Sequence, residues 1–98
     1  MSKKPYDPLS IPPDARKFGG YELLRAGVAE EGLTMSIRRG FEDPAAWGAL
    51  LATAGRQVAR IYATEAGLKE DEVRAKILAS FQAEMNSDQD PGTITAAH

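Results

Sequence analysis

The sequence predicts an α+β fold: an antiparallel β-hairpin, about residues 21–29 and 33–41, packed on two amphipathic α-helices, about residues 44–66 and 70–85. Two observations predict it. Apolar and polar residues alternate with a period of two over the hairpin, and apolar residues recur every three or four positions over both helices. With 98 residues, the chain has room for one domain with a modest core.

The hairpin is predicted from two alternating runs that flank a turn. With Val28 opposite Leu33, one face of the hairpin is apolar, and Glu22 lies opposite Arg39 at its end. Gly32 closes a four-residue loop, where a glycine suits the positive φ that such a loop requires. The first run also contains good helix formers, so a short helix is the alternative. The apolar face comprises Leu24, Ala26, Val28, Leu33, Met35 and Ile37.

The first helix has clear signals at both ends. Asp43 is a favoured N-cap residue, Pro44 suits the first helical position, and Gly67 is able to end the helix in the left-handed conformation. A continuous apolar stripe predicts that this is the core helix. The stripe comprises Trp47, Leu50, Leu51, Ala54, Val58, Ile61 and Tyr62.

A second surface of the first helix carries only small side chains, which permit close approach by another element. We call it the Ala/Gly face. It comprises Ala45, Gly48, Ala49, Ala52, Gly55, Ala59 and Ala63.

The second helix begins with three acidic residues at positions 70–72, where the helix dipole favours negative charge. Lys69 stands where a capping Ser or Asp is expected, which is a local mismatch. The helix is amphipathic, with an apolar stripe of Val73, Ile77, Leu78, Phe81 and Met85.

The two ends of the chain are predicted to lie outside the domain. Residues 1–20 form a proline-rich, extended arm, residues 21–86 a single ββαα domain, and residues 87–98 a disordered tail. The apolar residues of the arm either pack against the domain or remain mobile; they are Leu9, Ile11 and Phe18.

Composition narrows the classes of function. The net charge of -2 gives no attraction to nucleic acid or to an anionic membrane, and no apolar run approaches membrane-spanning length. The absence of cysteine excludes disulfides and thiolate chemistry, and it favours a reducing cytoplasm. We therefore expect a cytoplasmic protein with no membrane association and no preference for nucleic acid.

The sequence offers no candidate for catalysis or for cofactor and metal binding. Its one histidine, His98, is the last residue, and no P-loop, GxGxxG, GxSxG or HExxH motif occurs. Neighbouring carboxylates lie at the predicted hairpin turn and at the helix starts, where they have a structural explanation. We expect a protein that is not an enzyme and that holds no cofactor or metal.

Four arginines are the candidate anion contacts: Arg38, Arg39, Arg56 and Arg60. The first pair lies at the end of the second strand, and the second pair shares one helical face at positions i and i+4. The alternative is a solvated rim whose arginines pair with Glu22, Glu42 or Glu65. The aromatic residues Phe41, Trp47, Tyr62 and Phe81 are predicted to be core residues rather than platforms for stacked bases.

A two-stranded hairpin leaves two open edges and is only marginally stable alone. We therefore expect a homodimer, formed through a sheet edge or through the Ala/Gly face. Edge pairing with a different protein is one alternative. In the other, the chain is a monomer in which residues 9–11 of the arm add a third strand.

The stretch from Glu22 to Ala63 resembles a family of short, uncharacterised bacterial proteins known as a domain of unknown function. The resemblance lies in a hairpin that runs into a DPxAWG helix start at Asp43 to Gly48, followed by VARIYA at Val58 to Ala63. It implies a bacterial cytoplasmic setting and brings no activity or site residues.

The function predicted from these observations is a small, non-enzymatic, self-associating interaction module. A module that binds anions, nucleotides or RNA through the arginine rim is the alternative.

Overall fold

The computed structural model describes residues 5–30, 32–92 and 95–97. The described residues have the element order α1, β1, β2, α2, α3, β3, which is an α+β fold as predicted. The chain divides into two compact units: a sheet unit, Met1–Gly40 with Gly92–His98, and a helical unit, Phe41–Pro91. The single ββαα domain over residues 21–86 stays a prediction.

The hairpin of the sheet unit has the predicted register. Strand β1 spans Leu24–Ala29 and strand β2 spans Gly32–Arg38, and the two are antiparallel. Gly40 adopts a φ of 65°, which interrupts the extended backbone before the predicted end of the second strand. The apolar partners are Leu24 with Ile37, Ala26 with Met35 and Val28 with Leu33.

The turn of the hairpin is shorter than predicted. Ala29 pairs with Gly32, so two residues rather than four connect the strands. The positive φ falls on Glu30, at 54°, while Gly32 lies within β2. The prediction that Gly32 supplies the positive φ is therefore wrong, because pairing continues one residue further toward the turn than the sequence indicates.

The N-terminal arm contains a short helix, which corrects the prediction of a wholly extended arm. Helix α1 spans Pro13–Phe18, with Pro13 at its first position and Gly19 after its end. Proline suits the first turn because its missing amide has no helical partner there. All the described residues of the arm are exposed.

The third strand comes from the C-terminal tail, not from the arm. Strand β3, Thr95–Ala97, pairs in parallel with residues 36–38 of β2, so the sheet order is β1-β2-β3. This corrects the prediction of a disordered tail at residues 95–97, and it corrects the prediction that residues 9–11 add the third strand. A strand of three residues is too short to show an alternating pattern, and it forms because it pairs with β2. The sequence therefore gives little sign of it.

The helical unit begins near its predicted boundary. Helix α2 spans Ala45–Ala66, and the carboxylate of Asp43 accepts a hydrogen bond from the Ala45 amide at 3.0 Å. Gly67 ends the helix in the left-handed conformation, with a φ of 68°, as predicted. Helix α3 spans Glu70–Met85, and Lys69 before it provides no side-chain cap.

Helices α2 and α3 pack through the Ala/Gly face. A Cβ placed on Gly55 would lie 3.5 Å from the Cγ2 atom of Ile77, which is ordinary van der Waals contact. Ala59 is fully buried, and Val73 is exposed on only 9% of its surface. Small residues thus let α3 approach α2 closely. The half of this face around Gly55 and Ala59 is therefore occupied within the chain and does not await a second copy.

The large apolar residues of the helices are less buried than predicted. Phe41 and Trp47 are half-buried and in edge-to-face contact, with ring centroids 5.8 Å apart. Tyr62 and Phe81 are exposed, so the prediction that they are core residues is wrong for the described structure. The cause is that α3 packs on the small side chains of α2 instead of on its apolar stripe. The other exposed large apolar residues of these helices are Val58, Ile61, Leu78 and Met85.

Candidate functional site

The apolar face of the hairpin is the first candidate site. We define the apolar sheet face as Leu24, Ala26, Val28, Leu33, Met35 and Ile37, which alternation brings to one side of β1 and β2. At the turn end, Val28 and Leu33 are exposed on 75% and 71% of their surface. Cross-strand apolar neighbours with that exposure form a surface suited to contact with another apolar surface.

The opposite, more polar face of the hairpin is the one that the arm contacts. Tyr6 lies beside Gly27, where an added Cβ would be 2.8 Å from the Tyr6 hydroxyl oxygen. Gly27 points to the face opposite Val28, since successive residues of a strand alternate. The arm therefore contacts the hairpin at a place where only glycine leaves room for a tyrosine ring, and Val28 and Leu33 on the other face are exposed.

Glu22 and Arg25 form a small polar cluster at the end of the hairpin away from the turn. The guanidinium of Arg25 donates hydrogen bonds to both carboxylate oxygens of Glu22, at 2.9 and 2.7 Å. Glu22, and secondly Tyr6, raise the pKa of Arg25 above its ordinary value, so the arginine stays charged. Glu22 thus forms an ion pair with Arg25, three residues further along the chain, at 2.7 Å. The observed pairing of Leu24 with Ile37 is the register from which Glu22 is predicted to lie opposite Arg39.

Arg38 is the last residue of β2, and Arg39 follows the strand, which ends earlier than predicted. Arg38 is 4.9 Å from the ring centroid of Tyr21, and its Nε donates to the Glu22 carbonyl oxygen at 3.1 Å. The Arg38 guanidinium is therefore already held by an aromatic ring and a carbonyl group. Such an arginine has fewer donors left for an incoming anion.

Arg56 and Arg60 lie in the helical unit, on exposed positions of α2. The Nε of Arg60 is 3.9 Å from a carboxylate oxygen of Glu70 at the start of α3, which is a loose ion pair between the two helices. The four predicted anion contacts thus form two pairs, one in each unit.

The helical unit has an open groove that the sequence analysis did not find. We define the α2–α3 groove by its lining residues, Tyr62, Leu68, Glu72, Val73, Lys76 and Ile77, around a volume of about 380 Å³. Tyr62 and Leu68 are about half exposed there, at 49% and 51%. The sequence contains one signal for this groove, because an apolar residue, Leu68, directly follows the glycine that ends α2. The position of Leu68 beside α3 depends on the angle between the two helices, which the sequence does not show.

Within residues 5–30, 32–92 and 95–97, no three acidic, histidine or cysteine side chains cluster in a way that could hold a metal ion. His98 lies outside the described residues. Among the described helices, none combines the length and apolarity that crossing a bilayer requires.

These features define an α+β protein with a small sheet unit and a helical hairpin, each carrying an exposed apolar surface. The chain belongs to the family described as Domain of unknown function (DUF5076), whose model matches residues 8–89. This confirms the resemblance to a family of that kind. No curated protein matches the chain.

One solved structure is similar over nearly the whole chain. It is described as "Structure of a putative pyruvate dehydrogenase from the photosynthetic bacterium Rhodopseudomonas palustrus CGA009". The two chains are 35% identical, the match covers 98% of this chain and 100% of the other, and the TM-score is 0.77.

Proposed function

We propose that this protein is a small, non-enzymatic interaction module of the bacterial cytoplasm that self-associates through the apolar sheet face. The observation that carries the proposal is the exposure of Val28 and Leu33, which are direct cross-strand partners, on about three-quarters of their surfaces. Full burial of a side chain of this type stabilises by about 1.5–3 kcal/mol, which favours association of such surfaces.

The sheet edge supports the same proposal. Strand β1 is an outer strand of the sheet, and its sequence, Leu24–Ala29, contains no proline or lysine that would discourage pairing. The edge of β2 is paired with β3 along residues 36–38. A second copy is therefore expected on the β1 side and over the adjoining apolar sheet face, in a two-fold arrangement.

The test is a double variant, Val28→Lys with Leu33→Glu. The two residues are paired across the strands, so the new charges attract each other and support the hairpin while the apolar sheet face becomes polar. We expect the dimer dissociation constant to rise at least about a hundredfold, because two anchor side chains are lost in each copy. Sedimentation velocity over a hundredfold range of concentration measures it.

Two controls separate loss of contact from loss of fold. Ser36→Glu adds a charge to β2 on the opposite face, and Val28→Ile keeps the apolar character; both should leave the dimer intact. Far-ultraviolet circular dichroism should be unchanged in all variants. A dimer that survives Val28→Lys with Leu33→Glu would show that the apolar sheet face is not the interface.

Anion binding through the arginines is the second candidate function. The observation that favours it is the exposed pair Arg56 and Arg60, one helical turn apart, with Arg60 only loosely paired to Glu70. Substitution of both by glutamine should abolish phosphate or nucleotide binding at low salt without unfolding the helices. If the unaltered protein binds neither nucleotides nor RNA at low salt, this candidate fails.

The residues of this chain give no support for the activity that is named for the similar structure. A dehydrogenase reaction requires residues that bind a redox cofactor and residues that move protons. This sequence has one histidine, no cysteine and no GxGxxG motif. Assay of the purified protein with pyruvate and redox cofactors should therefore give no turnover, and turnover would contradict the proposal that the protein is not an enzyme.

A further inference from the structure

Strand β1 leaves one side of its backbone open. The carbonyl oxygen of Leu23 accepts a hydrogen bond from the Arg38 amide at 2.8 Å, so the backbone groups of Leu23 point toward β2. In an antiparallel pair, the backbone groups of successive residues point alternately toward the partner strand and away from it. The N–H and C=O groups of Leu24, Ala26 and Val28 therefore point away from β2.

No described segment of the sheet unit occupies this open edge. Within that unit, β1 contacts β2 and no other described helix or strand. Among the described residues, no backbone hydrogen bond joins the arm to β1, and the Tyr6 ring lies beside Gly27 on the polar face of the hairpin. A row of backbone donors and acceptors at a sheet edge is a template for one further strand.

The residues of this edge are complementary to a second copy of themselves. A two-fold axis at Ala26 sets Ala26 opposite Ala26 of the other copy and Leu24 opposite Val28, in an antiparallel pair. All the outward backbone groups of β1 are then hydrogen-bonded. The pairing ends at Glu30, whose φ of 54° leaves the extended conformation. The paired side chains all belong to the apolar sheet face, so that face continues from one copy into the other.

Other registers of the same two strands are less favourable. An axis at Arg25 sets the two arginines opposite each other, which is destabilising, and it pairs Leu24 only with Ala26. An axis at Gly27 pairs Ala26 with Val28 and leaves Leu24 opposite the turn of the other copy. With the axis at Ala26, Arg25 lies opposite Gly27, which has no side chain, and no like charges meet within the strand.

We propose that the β1 strands of two copies pair antiparallel about a two-fold axis at Ala26 and join the two sheets into one. This inference rests on the proposed self-association and specifies its geometry, which is edge pairing in one register. The occupant of the edge is a second copy because this register satisfies the hydrogen bonds, the apolar neighbours and the charges of β1 together.

Introduced cysteines test the register directly, because the chain contains none of its own. Ala26→Cys should form a disulfide between copies under mild oxidation, since the Cα atoms of a hydrogen-bonded antiparallel pair lie about 5.5 Å apart. Neither Leu24→Cys nor Val28→Cys should crosslink alone, whereas an equal mixture of the two should give the mixed disulfide. Ser36→Cys, at an exposed position on β2, is the matched control and should not crosslink.

A proline at the axis tests the hydrogen bonds. Ala26→Pro removes an N–H group that β2 does not use, so the hairpin should still form. We expect the dimer dissociation constant to rise at least about tenfold, because both hydrogen bonds at the axis are lost. Ala26→Val keeps the N–H group and should change the constant by no more than about twofold. An Ala26→Pro variant that dimerises as tightly as the unaltered protein would overturn the inference.

The two proposals fail in different ways. Suppose that Val28→Lys with Leu33→Glu dissolves the dimer, but Ala26→Cys does not crosslink or Val28→Cys crosslinks alone. Self-association through the apolar sheet face then stands, and the register of β1 is wrong. If the unaltered protein is a monomer at every concentration, both proposals are wrong.

Discussion

The helical unit and the sheet unit differ in how they use their apolar residues. Helices α2 and α3 meet through the smallest side chains, and this contact buries Ala59 completely. In the sheet unit, no residue of β1 or β2 is buried, and the face that the arm contacts is the polar one. The helical pair therefore contains a buried contact of its own, whereas the apolar residues Val28 and Leu33 of the hairpin are exposed.

The largest expected effect comes from filling the buried centre of the helical unit. Ala59→Leu adds three heavy atoms where the side chain has no exposed surface. Overpacking of this kind costs about 3 kcal/mol of unfolding free energy. Urea unfolding followed by circular dichroism at 222 nm measures it, in the Val28→Lys with Leu33→Glu background so that dimer formation does not add to stability.

The matched control is Ala49→Leu, an exposed position on the same helix. Its effect should stay within about 0.5 kcal/mol. Equal losses of unfolding free energy at both positions would mean that α3 does not pack closely on the small side chains of α2. The contrast between the two units would then disappear.

Two glycines of the helical unit should respond in opposite directions to alanine. Gly67 has a φ of 68°, so Gly67→Ala should destabilise by about 1 kcal/mol. Gly48 lies inside α2 with open space around its Cα, so Gly48→Ala should stabilise by about 0.5–1 kcal/mol. Thermal unfolding of the two variants checks the signs. A stabilising Gly67→Ala would show that α2 does not end there in solution.

The smallest predicted effect lies in the turn of the hairpin. Glu30 has a φ of 54°, which is unfavourable for glutamate and better tolerated by asparagine. Glu30→Asn should therefore stabilise the hairpin by about 0.5 kcal/mol. Amide hydrogen exchange of β1 and β2 measures it, with Glu42→Asn, an exposed position outside the hairpin, as the control. Faster exchange in Glu30→Asn than in that control would contradict the observed turn.

Periodicity and capping residues made most of the fold predictable. Alternation together with the position of the turn predicted the pairing of Val28 with Leu33, because a slip by one residue would have scattered the apolar face. The end of α2 at Gly67 followed from the conformational freedom of glycine. Both signals are local, and both were confirmed.

The features that sequence reasoning missed depend on contacts between distant residues. Strand β3 is held by β2, and the burial of Ala59 depends on where α3 folds back. The sequence shows a small-residue face but does not show which element covers it. Helix α1 was readable: Pro13 at its start, Asp14 in its first turn and Gly19 at its end are helix signals.

Alternation predicted the apolar face of the hairpin but not how exposed each of its residues is. Leu24 and Ile37 are half-buried, whereas Val28 and Leu33 are exposed. The arginines were placed correctly within their elements, yet the ring of Tyr21 beside Arg38 could not be inferred from spacing. The exposure of a side chain and the residues that it contacts depend on how the whole chain packs, which spacing along the sequence does not show.

The most direct test of the central claim is the molar mass of the unaltered protein in solution. Multi-angle light scattering on a sizing column, over a hundredfold range of concentration, should give the mass of two chains at the upper end and a fall toward one chain on dilution. The mass of one 10.6 kDa chain at every concentration would contradict self-association through the apolar sheet face.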